Sequence, residues 1–179
     1  MKPVQTEFSG LLRSPKKDAD PSVPEWVFGP LGRRPALSVR QPWATSIVHF
    51  GKPVENRIWT GTYLKAQLSR IKIGETFLIH ASQGMEDEDI LSWKDHIELR
   101  PQCRPNEQQK ARAGIKCFDD LPRGGIIGAA TFAGWVTDHP SSWFTGPGAL
   151  LMEQVHPLPF FPCRGTLGFF RLPPVTNNS

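Results

Sequence analysis

Residues 36–59 read ALSVRQPWATSIVHFGKPVENRIW, and this stretch sets the frame of the chain. Leu37 and Val39 alternate with Ser38 and Arg40, as along a half-buried strand. Pro42 then suits the first turn of a helix, where its missing N–H is not needed. Trp43, Ala44, Ile47, Val48 and Phe50 recur at three- and four-residue spacing, so one face of a short helix is apolar and packs on a sheet. Gly51 ends that helix. Beyond Pro53 a period of two returns, with Val54, Asn56 and Ile58 on one face and Glu55, Arg57 and Trp59 on the other.

That second face carries acid, base and aromatic together. Along a strand Glu55 and Arg57 stand roughly 6 to 7 Å apart, close enough to hold one polar group between them and too far for an ideal direct pair. Lys52, at the turn, closes the cluster. Arg57 offers a planar donor fork and Lys52 a point charge, which suit phosphate or a base carbonyl; ionised Glu55 only accepts, as from an exocyclic amine. The bland alternative is a surface ion cluster worth about 0 to 1 kcal/mol.

Outward from this frame, residues 74–81 (GETFLIHA) and 124–136 (GGIIGAATFAGWV) read as buried strands, and residues 149–155 and 166–172 as two more, separated by proline-rich PLPFFPCRG. Between the first two lies an excursion, residues 84–120. It holds a helix near 86–100, with Ile90, Trp93 and Ile97 at helical spacing, and a more polar helix near 106–115. The excursion is expected to cap the cleft. Its acidic run, Glu86 to Asp89, fits the positive end of a helix dipole better than a metal site. The fold class expected is α+β: a small mixed barrel with short helices at its mouth and a helical insertion.

Several more residues qualify for a cleft. His80 ends an apolar strand in IHAS, either as a buried hydrogen-bonded histidine or as a ligand contact, and Ser82 follows it. Trp43 and Trp59 flank the charged trio and suit stacking on a base, although Trp43 also suits the core. Trp143, in HPSSWFTG, is packed or stacked, and Arg164, in PCRG, either clamps a phosphate or satisfies loop carbonyls. Arg40 adds a further cation.

Composition sets looser bounds. The 179 residues carry a formal net charge of +4, a mild excess that argues for a small anionic footprint rather than a long phosphate-tracking groove. One domain, residues 36–174, follows a tail of residues 1–35 with scattered prolines and charges, and residues 175–179 are expected to be disordered. Trp26 and Phe28 look like anchors for the end of the tail, while Lys16, Lys17, Arg33 and Arg34 keep it solvated or extend its electrostatic reach. Cys103, Cys117 and Cys163 lack the number and spacing of a disulfide framework or zinc knuckle, so free thiols are expected, with neither metal nor cofactor. No apolar run suggests a membrane span or a secretion signal, which points to the cytoplasm.

Four blocks, LSVRQPWA (37–44), GKPVENRIW (51–59), LIHAS (78–82) and PCRGTLGFFRLP (162–173), resemble the ASCH family of small PUA-like domains, related to the one in the activating signal cointegrator. Its Gly-x-Lys-x-x-Glu-x-Arg signature places Lys52, Glu55 and Arg57 on the three charged positions; Phe50 stands where the glycine would be, and Gly51 follows. The resemblance implies a PUA-like barrel with a charged cleft for nucleic acid, single-stranded RNA or a nucleotide first and DNA also open. It also implies an alternative, because some members resemble amidohydrolases acting on acetylated cytidine through a lysine and a threonine three positions later. Lys52 matches that lysine, but Glu55 replaces the hydroxyl residue, so the same nucleophilic chemistry does not carry over. As an enzyme, the chain would be a small hydrolase of modified nucleosides or RNA, amidase- or ribonuclease-like, with Glu55 as general base toward water and Lys52 and Arg57 on an oxyanion. A third alternative is a protein-interaction domain of the coactivator type, with partners the sequence does not name.

Overall fold

A computed structural model describes residues 25–29 and 32–172 of the chain. The expected tail, for residues 1–24 and 30–31, and the expected disordered end at 175–179 lie outside the described residues.

The first described residues form a 3-10 turn, Glu25–Val27, and a two-stranded hairpin, β1 (Phe28–Gly29) and β2 (Gly32–Arg33). Trp26 and Val27 are buried, with the Trp26 ring edge-on to Phe161 at 5.9 Å and its carbonyl accepting from Arg34 Nε at 3.2 Å. Trp26 therefore does anchor this segment, and burying its ring contributes on the order of 2 kcal/mol.

The main sheet contains β3 (Pro35–Val39), β4 (Val54–Arg57), β5 (Thr76–Ala81), β6 (Gly125–Val136), β7 (Gly148–Pro162) and β8 (Phe169–Arg171), in the order β4-β7-β6-β5-β3-β8. β3 and β5 pair in parallel, Ser38 opposite His80, because helix α1 (Trp43–Phe50), β4 and helix α2 (Gly61–Leu68) supply the long crossover that a parallel pair requires. The other pairings in this sheet are antiparallel. Two further helices, α3 (Asp87–Leu99) and α4 (Glu107–Ala113), make up the excursion.

β3 differs from the half-buried strand expected. Leu37 and Val39 face a core with Ile47, Phe77, Ile79 and Phe169, while Ala36 faces a second core with Trp26, Leu78, Ile126 and Phe170. The N-terminal turn supplies the cover for that second face. β7 also departs from expectation, running through the proline-rich segment instead of stopping near 155. β4 pairs with β7 only along Leu151 to Gly148, so the prolines beyond lie on an edge and remove no hydrogen bond that a further strand would have used. Register shifts near Ile126, Ala129 and Phe132 bend the β6–β7 pair.

The sheet curls into a half-barrel. β4 and β3 are separated in the strand order by β7, β6 and β5, yet Arg57 Nη2 on β4 donates to Ser38 O on β3 at 2.7 Å. That bond crosses a seam where no ladder runs.

Helix α1 starts at Trp43, after a cis Gln41–Pro42 peptide. Buried Gln41 caps it, accepting from Thr45 N at 3.1 Å while donating to Pro122 O at 2.8 Å. At the other end Gly51, at φ +76°, takes the left-handed conformation that a side chain would strain, and directs Lys52 back under the helix. The acidic run opens α3 as expected, with Glu86 and Asp89 forming a reciprocal capping box.

Candidate functional site

Two neighbouring arrangements hold the residues singled out by sequence, Arg40 excepted. The first is the charged trio, internally paired, with Lys52 and Glu55 buried and Arg57 half-buried. Lys52, 2% exposed, donates from Nζ to Glu55 Oε2 and to Val54 O, both at 2.6 Å, and stands 5.6 Å from the Trp43 ring. Glu55 Oε1 lies 3.2 Å from Arg57 Nη2, so the direct pair judged too distant along the strand does form, because long side chains at i and i+2 lean together. The Arg57 guanidinium lies 5.2 Å from the Trp59 ring, and its Nε is buried without a partner. Burial lowers the Lys52 pKa, against the opposing attraction of Glu55.

Aromatic rings wall this cluster. Trp59 stacks on Trp135 at 6.2 Å with 6° between planes. Trp43 meets His96 edge-on at 5.5 Å, and His96 stacks on Trp143 at 5.1 Å. Trp143 is only 5% exposed and takes the packed alternative; Asn56 fixes its loop by donating to Trp143 O and accepting from Thr145 N. His96 Nε2 is buried and unpartnered, and desolvation, Arg100 and Lys52 push the His96 pKa down to about 4.

The second arrangement is a cleft of about 590 Å³ lined by Ser38, His80, Ser82, Gln83, Arg164 and Thr166, among others. His80, Ser82 and Arg164, from two distant blocks of sequence, therefore come together. His80 is buried, with Nδ1 3.1 Å from Ser38 Oγ and Nε2 3.1 Å from Cys163 O. A carbonyl only accepts, so Nε2 carries the proton and Nδ1 accepts from the Ser38 hydroxyl. Burial lowers the His80 pKa. Ser82 Oγ donates to Gly84 O. Arg164 is exposed and makes no ion pair among the described residues.

Ser38 joins the two arrangements, its carbonyl held by Arg57 and its hydroxyl by His80. Sequence reading passed over it as the polar partner in an alternating strand. The signal that finds it is register: Ser38 opposes His80, two polar residues side by side in otherwise apolar strands. Gln83, Cys163, Gly165 and Thr166 were missed because loops bring them in. Arg40 stands apart, exposed and paired with Asp89 at 2.9 Å. The excursion does not cap this cleft; Gln83 and Gly124 at its two ends line it, while α3 and α4 enclose a separate apolar hollow against Phe50.

Among the described residues no group of three His, Cys, Asp or Glu side chains is placed to hold a metal ion, and no helix is long and apolar enough to cross a membrane. No family model matches the chain, and no curated protein matches it.

Proposed function

We propose that the cleft receives one nucleotide of a nucleic-acid strand, single-stranded RNA first, and that the chain is an ASCH-type, PUA-like binding module. The observation that carries this reading is the convergence of His80, Ser82 and the uncommitted Arg164 on one hollow beside the seam that Arg57 closes. Its volume suits a small ligand, since such sites span roughly 300 to 1,000 Å³. Arg164 is a fork for phosphate, and Gln83, Ser82 and Thr166 offer donors and acceptors to a base edge or a 2′-hydroxyl. Lys52, Glu55 and Arg57 act here as the support of the site, because their charges are spent largely on one another.

The test is fluorescence anisotropy with short labelled single strands of RNA and DNA across a salt series. One phosphate engaged by Arg164 gives a log–log slope of about −0.7 for single strands, and Arg164→Ala removes most of that slope while weakening all sequences alike. Affinity independent of salt, or unchanged by Arg164→Ala, overturns the reading.

A further inference from the structure

Within the cleft a hydroxyl and an imidazole are paired with each other, a pairing that nucleotide binding does not use. Ser38 Oγ on β3 donates to His80 Nδ1 on β5, and His80 Nε2–H is tied to the Cys163 carbonyl in the β7–β8 loop. Three elements thus fix one ring in one tautomer with its lone pair on a serine. This is the relation of nucleophile, base and orienting group that serine acyl transfer needs.

The loop above the pair strengthens the assignment. A Cβ at Gly165 would collide with the His80 ring and with Ser38 Oγ, so only glycine lets the backbone approach this closely. The amides of residues 164–167 donate to no protein group among the described residues. Uncommitted N–H groups beside a nucleophile are what a developing oxyanion requires.

We propose that Ser38 and His80 form a nucleophile–base pair that hydrolyses small carboxylic esters in this cleft, with an anionic part of the substrate directed to Arg164. Ser38 Oγ adds to the ester carbonyl carbon as its proton passes to His80 Nδ1, and the carbonyl oxygen becomes the oxyanion facing the loop. Collapse breaks the bond to the alcohol oxygen, which leaves with the proton from Nδ1. Water then attacks the acyl-serine, giving its proton to Nδ1; the acyl–Oγ bond breaks, Oγ recovers the proton, and the carboxylic acid departs. A carbonyl in place of a carboxylate behind the imidazole stabilises the charged ring less, so turnover is slow.

The inference uses the same cleft as the binding reading but does not depend on a nucleotide, so the two are tested apart. The full chain is treated with a fluorophosphonate probe and, separately, with p-nitrophenyl acetate. Expected results are one label per chain, located at Ser38 by peptide mass, and ester turnover that falls about 100-fold or more in Ser38→Ala. Near-UV circular dichroism verifies that the variant is folded, which is expected because only a hydroxyl is lost. A label at another residue, a folded wild type that neither labels nor turns over, or turnover that survives Ser38→Ala overturns the proposal. RNA affinity measured in parallel separates the readings: retained affinity without ester chemistry removes only the catalytic pair, and ester chemistry without affinity removes only the binding module.

Discussion

His96 is a neutral ring held where a charged one is penalised. It stacks on Trp143, meets Trp43 edge-on, and has Arg100 and Lys52 close enough to repel a proton. Its folded pKa of about 4 lies below the ordinary value of 6.5, so between those values the unfolded chain binds more protons than the folded one. Stability therefore falls as pH drops from about 6.5 to about 4, and this contribution is flat outside that window. His80 and His49 are lowered in the same direction, so the contribution of His96 is read as a difference between proteins. His96→Phe keeps the stack and removes the proton site. Chemical denaturation at pH 7 and pH 4.5 should show the variant losing less stability than wild type, by on the order of 1 to 3 kcal/mol. Equal losses in the two proteins would show that the ring carries no such linkage.

Helix α2 shows how an element invisible to pattern still holds the fold. It exposes most of its length, and Gln67, 3% exposed, is its one buried residue. Gln67 Oε1 accepts from Phe169 N at 2.7 Å, and Arg70 Nη1, just past the helix, donates to Phe169 O at 2.6 Å. β8 is the edge of the sheet, so these two side chains satisfy the backbone that would otherwise face outward. Gln67→Ala leaves the buried Phe169 N–H unpaired and is expected to reduce stability by about 1 to 3 kcal/mol, with faster amide exchange at Phe169 than at β5. Unchanged exchange there would mean that water replaces the glutamine without loss. The same contrast explains what the sequence made legible. α1, α3 and the strands β5 and β6 were visible because they bury periodic apolar residues. α2 was not, because its purpose is a single polar contact with residues about a hundred positions away. β7 was cut short because prolines argue against a strand wherever both edges are paired, and strand order decides that. In the site, His80, Ser82 and Arg164 were legible by residue type, and their meeting with Ser38 was decided by register.

At the scale of the molecule, the curled sheet is closed by side chains where the backbone ladder stops. Arg57 reaches from β4 to the Ser38 carbonyl on β3 and holds Glu55, which in turn holds Lys52. One guanidinium thus ties the seam to the turn after α1 and to the strand that forms the floor of the cleft. Arg57→Met removes the strut, leaves the Ser38 carbonyl without this donor, and leaves Glu55 with Lys52 alone. The expected loss is about 2 to 4 kcal/mol, with faster amide exchange along β3 and β4 than along β6. Arg57→Lys keeps the charge but not the fork and should recover only part of the loss. Lys110→Ala, which breaks the exposed pair with Glu107 at 2.8 Å, serves as the comparison and should change stability by less than about 0.5 kcal/mol. If urea denaturation gives Arg57→Met and Lys110→Ala similar small losses, the seam is held by apolar packing and the trio is a dispensable decoration. A large loss confined to Arg57→Met, accompanied by weaker RNA binding at temperatures where the variant is still folded, would tie the closing of the sheet to the shape of the cleft beside it.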